Sequence, residues 1–525
     1  MGTTLADNIR AKINQSKSNH GLAIIFGCLS VFAWTLIRFF NRGPNFDQVG
    51  QQVLAHQWLH GLHSGSVIGP TNYVLKMLLL YMPLDSVPLS AQLKLVLMTL
   101  LVNIATFVLL VYILRRLWLE FYPNLKGSFY LPLVYLSLIS GSVYWISFSN
   151  SRNLEVASGV FLIYLYIRTQ TRPSRLSYAG LIILGGLIFF ADPLQIYMTL
   201  LPVILFVGIR WVLQRDQQQL VVLIRLIGCA VISILLARFL TKTVEVIWNV
   251  SFISTNRSVS FSLSSLKLTI EQMARLYAGG FEGGRIREAL DLLIVAGGTV
   301  GAGYYAWRKP KARWLLSLGA IVWIVDLGVY IISGQAQQTD TNRYLIMTVP
   351  MFILALAVIL YYLPSTKTRM SIVVFIVLFN SLTLAGGFAK AWDPHFSYNN
   401  HDRAVIGYFK AHKYSYGYAS IGTAVSSDYL SNWRVNLLPL GCDPDYTLKK
   451  TTLFFDKAGF EVAKGSSPES LVPIVLDGKD IQINSSVCGI GQIERQLGAS
   501  QKTDHLNDGS TVLIYKAARL QNLRS

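Results

Sequence analysis

The stretch GLAIIFGCLSVFAWTLIRFF at residues 21–40 is followed directly by NRGPNFDQ at residues 41–48. The first stretch has the length and apolar character that a helix needs to cross a bilayer. The second stretch brings a carboxylate, Asp47, to the membrane surface just past that span. We therefore expect a membrane protein that holds an acidic group at the edge of the bilayer.

The composition of the whole chain supports this class. Of its 525 residues 52% are apolar and 14% are charged, and the mean hydropathy is +0.44, which excludes a soluble globular protein. Runs of roughly 20 apolar residues predict an α-helical polytopic membrane protein with about eleven spans. The runs lie near 21–40, 92–114, 128–148, 154–170, 176–191, 195–213, 221–240, 288–307, 314–333, 344–363 and 371–389.

The basic residues between the spans predict the orientation, because cytoplasmic segments retain Lys and Arg. Alternate segments carry seventeen basic residues and three acidic ones, so we expect a cytoplasmic amino terminus. With an odd number of spans, the chain after residue 390 is then extracytoplasmic. Much of the +19 net charge is topological and does not indicate a nucleic-acid partner. The first span has no cleavage site and is expected to remain as an anchor in the cell (inner or plasma) membrane.

Two domains follow from this topology: a transmembrane module at 1–390 and a small exported α/β domain at 391–525. In the second domain we expect helices near 404–413 and 490–497. We expect its strands near 435–440, 451–455, 472–476 and 510–515. No nucleotide-binding, metal-binding or esterase motif occurs in this segment. It either covers a membrane site, holds an acceptor or serves packing alone.

The four cysteines are divided between the two domains. Cys28 and Cys229 fall in apolar spans, whereas Cys442 and Cys488 are both in the exported segment. An oxidising compartment allows the second pair to bond, and we favour that disulfide over two separate thiols.

The exported segment between the first two spans contains two further helices. Residues 46–62 place apolar side chains at helical spacing, which predicts an amphipathic helix at the membrane interface. A second apolar piece at 73–82 is too short to cross the membrane and ends at Pro83. We expect interfacial helices over about 46–82, where a lipid-linked substrate can enter sideways.

These features resemble the GT-C class of membrane glycosyltransferases, which includes the protein mannosyltransferase and aminoarabinose transferase superfamily. The resemblance rests on Asn45-Phe46-Asp47 in the first exported loop, the two interfacial helices, the many spans, the exported carboxy-terminal domain and Arg343-Tyr344-x5-Pro350. It implies transfer of a sugar from a polyprenyl-phosphate carrier to a glycan, lipid or protein acceptor on the exported side. No soluble cofactor is implied.

For Asp47 the resemblance implies the role of general base in an inverting displacement. A carboxylate with an ordinary pKa of about 4 is ionised at neutral pH and can accept the acceptor's proton. The alternative is that Asp47 caps the helix that follows it. The architecture favours catalysis.

A phosphate leaving group calls for cationic side chains on the same face of the membrane. Lys76, in the second interfacial helix, either contacts the phosphate or extends to the lipid headgroups. Arg343 is our first choice for the phosphate because of its Arg-Tyr context. Arg152 and Arg275 are further candidates on the exported side.

Two acidic residues occupy short exported turns between spans. Charged residues at span ends that face a cavity are functional candidates. Glu155 and Asp192 are therefore candidates for orienting the acceptor, although a structural pair between Arg152 and Glu155 explains the first equally well.

We expect no metal ion at this site. His56, His60 and His63 have a spacing that can bind zinc, but a polar helix face is the favoured interpretation because no fourth ligand is evident. Metal-assisted members of the class use clustered acidic residues, and this first loop has no Asp-x-Asp string.

A second class of function also fits a membrane shell of this kind. The chain would then be a non-catalytic flippase for lipid-linked glycans or an assembly factor. Transporters usually show paired internal repeats and broken spans, which this sequence does not reveal. Membrane lipids are partners in either case.

Overall fold

The computed structural model of the chain forms two compact units, each built from separate stretches of sequence. The first, the helical unit, comprises Met1–Ile37, Leu100–Arg238 and Asn256–Trp392. The second, the sheet unit, comprises Arg38–Thr99, Phe239–Thr255 and Asp393–Ser525. The structure describes residues 21–37, 46–61, 67–68, 72–122, 129–137, 153–215, 217–252, 263–278, 284–333, 345–391, 400–414, 416–442, 445–450, 467–477, 480–483, 486–520 and 523.

Long apolar helices make up the helical unit. The described helices overlap all eleven apolar runs in the sequence, and one more helix lies between the seventh and eighth runs. They are α1 (Gly21–Ile37), α5 (Ala91–Phe121, shared with the sheet unit), α6 (Tyr130–Ser137), α7 (Asn153–Thr171), α8 (Arg175–Ala191), a π-helical turn (Ile196–Leu200) continuing into α9 (Leu201–Gln214), α10 (Gln217–Trp248, whose end lies in the sheet unit), α11 (Leu263–Ala278), α12 (Gly284–Arg308), α13 (Pro310–Ile332), α14 (Thr348–Tyr362) and α15 (Thr366–Ala391).

Several of these helices are long and apolar enough to cross a membrane. In the described residues four meet both conditions, namely Ala91–Phe121, Ile196–Gln214, Gln217–Trp248 and Pro310–Ile332. Shorter apolar helices occupy Gly21–Ile37, Arg175–Ala191 and Thr348–Tyr362. A mostly helical membrane protein is thus confirmed, whereas the number of eleven crossings stays a prediction.

Small residues allow helices of this unit to approach closely. Gly185 and Gly186 of α8 lie against α10, where a Cβ at Gly185 would fall 2.8 Å from Oγ of Ser233. Large apolar side chains such as Leu235 cover the outer face of α10. Packing on small residues with an apolar exterior is typical of helices in a lipid environment.

The carboxy-terminal part of the sheet unit contains a mixed six-stranded sheet with the order β5-β4-β3-β6-β10-β9. β3 runs parallel to both β4 and β6, and β10 is antiparallel to β6 and β9. The strands are β3 (Gly417–Ser420), β4 (Leu437–Cys442), β5 (Leu448–Lys450), β6 (Leu471–Leu476), β9 (Lys502–His505) and β10 (Thr511–Lys516), and a separate hairpin pairs β7 (Asp480–Ile483) with β8 (Ser486–Gly489).

Helices accompany this sheet at the positions α16 (Asn400–His412), α17 (Ile421–Leu430), α18 (Ile490–Leu497) and α19 (Ala517–Leu520). Both helices expected from the sequence are present, as are three of the expected strands. The fourth, at 451–455, lies outside the described residues. The division into domains at 390 and 391 stays a prediction.

A disulfide joins Cys442, at the end of β4, to Cys488 in β8. The two Cα atoms are 5.7 Å apart, and both residues are buried in the core of the sheet. The pairing that the sequence favours is therefore confirmed. Cys28 and Cys229 are free, as expected for residues in apolar helices.

The amino-terminal part of the sheet unit consists of short helices. These are α2 (Phe46–Leu59), α3 (Asn72–Lys76), a π-helical turn (Met77–Tyr81) and α4 (Met82–Asp85), after which α5 begins. A two-residue parallel ladder joins β1 (Val67–Ile68) to β2 (Ser251–Phe252).

Candidate functional site

Asp47 is the second residue of α2. Its backbone is helical, and the position of its side chain is outside the described part of the structure. Asp47 therefore lies in the first turn of the helix, where the partial positive charge of the helix amino terminus favours an anion. Both roles of Asp47, helix capping and catalysis, stay predictions.

The helix that carries Asp47 is enclosed on both of its faces. From Val49 to Trp58 every residue except His56 is buried, including the polar Gln51 and Gln52. It packs on α17, on the first π-helical turn and on α4. The predicted helix is present, and its polar residues Gln51, Gln52 and Gln57 are buried in protein.

Lys76 ends α3 and immediately precedes the π-helical turn. Only 6% of its surface is exposed. A lysine that extends to the headgroups keeps its ammonium group in water, whereas Lys76 is enclosed by protein. Since π-helical turns occur often at functional sites, the position supports a specific role for this ammonium group.

His56 forms a junction between α2 and α4. Its Nδ1 lies 2.9 Å from Oδ2 of Asp85, and its ring stacks on Trp433 at 4.1 Å with an angle of 11°. His60 instead contacts the backbone carbonyl of His56 at 2.8 Å. The two imidazoles therefore have protein partners, and His63 lies outside the described residues.

In the helical unit, Asp192 caps the end of α8 and is buried. Its Oδ1 accepts a hydrogen bond from the backbone amide of Leu194 at 3.2 Å, and its Oδ2 accepts one from Nε2 of Gln195 at 3.0 Å. Gln195 is buried and immediately precedes the second π-helical turn. Asp192 is thus held in a fixed orientation.

The neighbouring helix α7 brings Glu155 and Gly159 onto one face, since they are four residues apart. Gly159 lies against Gln195 and Thr199, and Glu155 is buried one turn earlier. Two of the predicted residues are therefore buried, Glu155 in α7 and Asp192 at the end of α8. Sequence reasoning missed Gln195, although its position three residues after the helix-ending Asp192 is a usable signal.

Three predicted cations remain, namely Arg152, Arg275 and Arg343. Arg152 and Arg343 lie outside the described residues. Arg275 is in α11, but its side chain is likewise not described. The alternative pairing of Arg152 with Glu155 therefore also remains a prediction.

A buried polar cluster lies close in sequence to Arg343. The Tyr277 hydroxyl donates to Oγ1 of Thr348 at 2.9 Å, and Nε1 of Trp323 donates to the Thr348 carbonyl at 2.9 Å. Asp326 in α13 is buried, and neither carboxylate oxygen has a hydrogen-bond partner in the described ranges.

A second polar cluster occupies the carboxyl edge of the parallel strands β3 and β6. The ring of His401 lies 2.7 Å from Oδ2 of Asp508 through Nδ1 and 3.0 Å from Oδ1 of Asp477 through Nε2. Burial disfavours the charged ring, but hydrogen bonds to Asp477 and Asp508 and the charges of Asp477 and Asp402 outweigh it and raise the pKa of His401 to about 9. Thr423 and Ser420 donate to Asp477 as well.

The described residues contain no group of three or more His, Cys, Asp or Glu side chains arranged to hold a metal ion. Metal independence nevertheless remains a prediction, because Asp47 and its surroundings are only partly described.

No protein-family model matches the chain, and no curated protein matches its sequence. Sixteen chains of solved structures match its fold. The crystal structure of ArnT from Cupriavidus metallidurans bound to undecaprenyl phosphate has a TM-score of 0.57 at 11% identity, covering 96% of this chain and 99% of that one. The apo state of the same protein has a TM-score of 0.57 at 10% identity, with the same coverage.

This likeness is one of fold over almost the full length of both chains. ArnT is an aminoarabinose transferase of the GT-C class, so the resemblance drawn from the sequence is confirmed at the level of fold. The fold, together with the apolar helices, also identifies the chain as a multi-pass membrane protein.

Proposed function

We propose that this protein is a membrane glycosyltransferase of the GT-C type. It moves a sugar from a polyprenyl-phosphate carrier to an acceptor hydroxyl of a glycan, lipid or protein on the exported side of the membrane. One observation carries the proposal: the fold matches, from end to end, that of an ArnT structure that holds undecaprenyl phosphate.

In the proposed reaction Asp47 acts as the general base. Its carboxylate takes the proton of the acceptor hydroxyl while the hydroxyl oxygen forms a bond to the anomeric carbon. The bond from that carbon to the phosphate oxygen breaks, and the polyprenyl phosphate leaves with the bonding electrons. A single displacement of this kind inverts the anomeric configuration.

The leaving phosphate gains negative charge, so fixed cations near it lower the barrier. Lys76 supports this role through its burial, because a buried ammonium group interacts more strongly with an anion than one in water. Arg343, Arg152 and Arg275 are the further candidates for phosphate binding. Glu155 and Asp192 are proposed to orient the acceptor.

The proposed orientation places the amino terminus in the cytoplasm and the sheet of residues 417–516 outside the cell membrane. The disulfide between Cys442 and Cys488 supports this assignment, because such bonds persist in oxidising compartments. No metal ion is assigned to the reaction.

The direct test is release of free lipid phosphate by the purified protein from a panel of polyprenyl-phosphate sugars. Asp47→Asn keeps the size of the side chain but removes the base, so release should fall by at least a hundredfold, as is usual for loss of a general base. Asp504→Asn, the same change on edge strand β9, is the matched control and should retain full release.

Three outcomes decide between the classes. Release that depends on Asp47 supports the glycosyltransferase. Binding of the lipid without release from any donor supports the non-catalytic flippase or assembly factor instead. Equal release by wild type and Asp47→Asn removes Asp47 from the mechanism.

A further inference from the structure

The two segments that carry Asp47 and Lys76 pack against each other, and a charged contact joins their ends. Asp47 lies nine residues before His56 in α2, and Lys76 lies nine residues before Asp85 in the α3 to α4 segment. The imidazole of His56 and the carboxylate of Asp85 meet at 2.9 Å. The pair therefore links the helix of the proposed base to the segment of the proposed phosphate cation.

A turn of the carboxy-terminal part of the sheet unit closes on this pair. After α17 ends, Asn432 and Trp433 adopt left-handed backbone conformations with φ of 53° and 61°. Two consecutive residues of this kind are unusual for side chains with a Cβ, and they persist only where surrounding contacts hold them. Here the amide of Trp433 donates to the carbonyl of Asp428 at 2.9 Å.

This turn places the side chains of Asn432 and Trp433 against two other helices. Trp433 stacks flat on His56, and Oδ1 of Asn432 accepts a hydrogen bond from the backbone amide of Ala91, the first residue of α5, at 3.2 Å. From the same turn of α5, Lys94 donates to the carbonyl of Asp85 at 2.5 Å and lies 3.4 Å from its carboxylate. The ends of α2, α4 and α17 and the start of α5 are therefore fixed together.

We infer that this junction, formed by His56, Asp85, Lys94, Asn432 and Trp433, sets the placement of Asp47 relative to Lys76. The inference rests on the proposed function. The five residues are positioning residues: they hold the helices that carry the base and the phosphate cation. The carboxy-terminal part of the sheet unit thereby acts on the reaction through Trp433, in addition to any contact that it makes with an acceptor.

The reason that such a junction matters is geometric. A proton transfer and a displacement occur together in the proposed step, and both fail when the reacting groups are misplaced by about 1 Å. Loosening the junction should lower the rate of the chemical step while the lipid still binds. A residue that serves stability alone would not separate these two quantities.

The test compares Trp433→Ala with Trp433→Phe and with the control Tyr414→Ala. Trp433→Phe keeps a ring that can stack on His56. Tyr414→Ala is the control because it removes a similar stack, that of Tyr414 on His412, elsewhere in the same unit. For lipid-phosphate release we expect kcat to fall about tenfold or more in Trp433→Ala with KM for the donor changed less than about threefold. Phenylalanine should restore most of kcat, and the control should match wild type.

A second measurement needs no turnover. Hydrogen exchange of peptides covering 46–59 and 72–85 should accelerate about tenfold or more in Trp433→Ala and stay unchanged in Tyr414→Ala. The double variant with His56→Ala and Trp433→Ala should change kcat and hydrogen exchange no more than the more harmful single substitution does, because both substitutions remove the same contact.

The outcomes separate this inference from the proposed function. If wild type releases lipid phosphate but Trp433→Ala has an unchanged kcat, the junction has no positioning role and the glycosyltransferase stands. If wild type releases nothing from any donor, the proposed function fails. Unchanged exchange of both peptides in Trp433→Ala overturns the inference in either case.

Discussion

Gly159 lies directly against the side-chain amide of Gln195. A Cβ at position 159 would fall 2.3 Å from Oε1 of Gln195 and 2.9 Å from Cε of Met347. The same Gln195 donates its amide hydrogen to the carboxylate of Asp192. The bare backbone of α7 at this position is therefore what allows Asp192 to be held in place.

Replacing Gly159 with alanine should therefore disturb Asp192. The added methyl group overlaps Gln195 and Met347, and forced overlap in a packed interior costs about 1–3 kcal/mol of the free energy of unfolding. Thermal unfolding in detergent should show a lower midpoint, and lipid-phosphate release should fall with it. Gly180→Ala in α8, where nothing lies within 4 Å of the added Cβ, is the control and should show neither effect.

Lys76→Met should weaken binding of polyprenyl phosphate. The change keeps the aliphatic stem and removes the charge. Loss of a charge-assisted contact to phosphate costs about 1.5–3 kcal/mol, which corresponds to a Kd roughly ten to a hundred times higher. Binding of undecaprenyl phosphate to protein in nanodiscs measures it. Lys502→Met, at an exposed position of β9, should bind like wild type, and an equal Kd for Lys76→Met would exclude the phosphate role.

Removing the disulfide should destabilise the sheet. The bond closes a loop between residues 46 positions apart, and loss of such a crosslink typically costs about 2–4 kcal/mol. The double change of Cys442 and Cys488 to serine should lower the unfolding midpoint of the carboxy-terminal sheet. Cys28→Ser, which removes a free thiol of α1, is the control. A reductant should reproduce the effect in wild type and have none in the double variant.

The stability of the carboxy-terminal sheet should depend on pH through His401. Its pKa is raised in the folded state to about 9 from an ordinary 6.5. The stabilisation is therefore complete below about pH 6.5 and is lost as the pH rises through 9. Its size is roughly 2–3 kcal/mol after allowance for screening.

Unfolding midpoints of wild type and His401→Asn between pH 5 and 10 check this, with His412→Asn as the control at an exposed position. The two curves should differ most near pH 6 and converge toward pH 10. On the acid side, burial opposes the ionised forms of Asp477 and Asp508, but hydrogen bonds outweigh it and lower both pKa values. Their contribution is present above pH 3.8 and is lost as the pH falls further. A difference between the variants that is constant with pH would contradict this account.

The helical part of the fold was predictable because long apolar runs leave few alternatives. The start of α2 at Phe46 and of α8 at Arg175 agree with the sequence to within a residue. The environment of α2 was not predictable from its periodicity. Its apolar positions indicate burial, but its polar residues Gln51 and Gln52 are buried too, and α17, on which it packs, is more than 360 residues further along the chain.

The candidate site was predictable only where a residue stands out locally. Asp192 precedes a proline at a helix end, and Asp47 follows a span, so both are visible in the sequence. The link between His56 and Asp85 and the turn at Trp433 depend on segments that meet only in the folded chain. The short strand β3 was also missed, because Gly417-Tyr418-Ala419-Ser420 has little apolar character and is buried by strands on both sides.

The enclosure of α17 limits how this protein can be divided. From Thr423 to Tyr429 every residue of that helix is buried, and α2 from the start of the chain supplies part of the cover. A soluble fragment that begins at residue 393 would contain every strand of the large sheet but would leave one side of α17 bare. Such a fragment would tend to aggregate, and the cell can complete this folding unit only after its last residues have been synthesised.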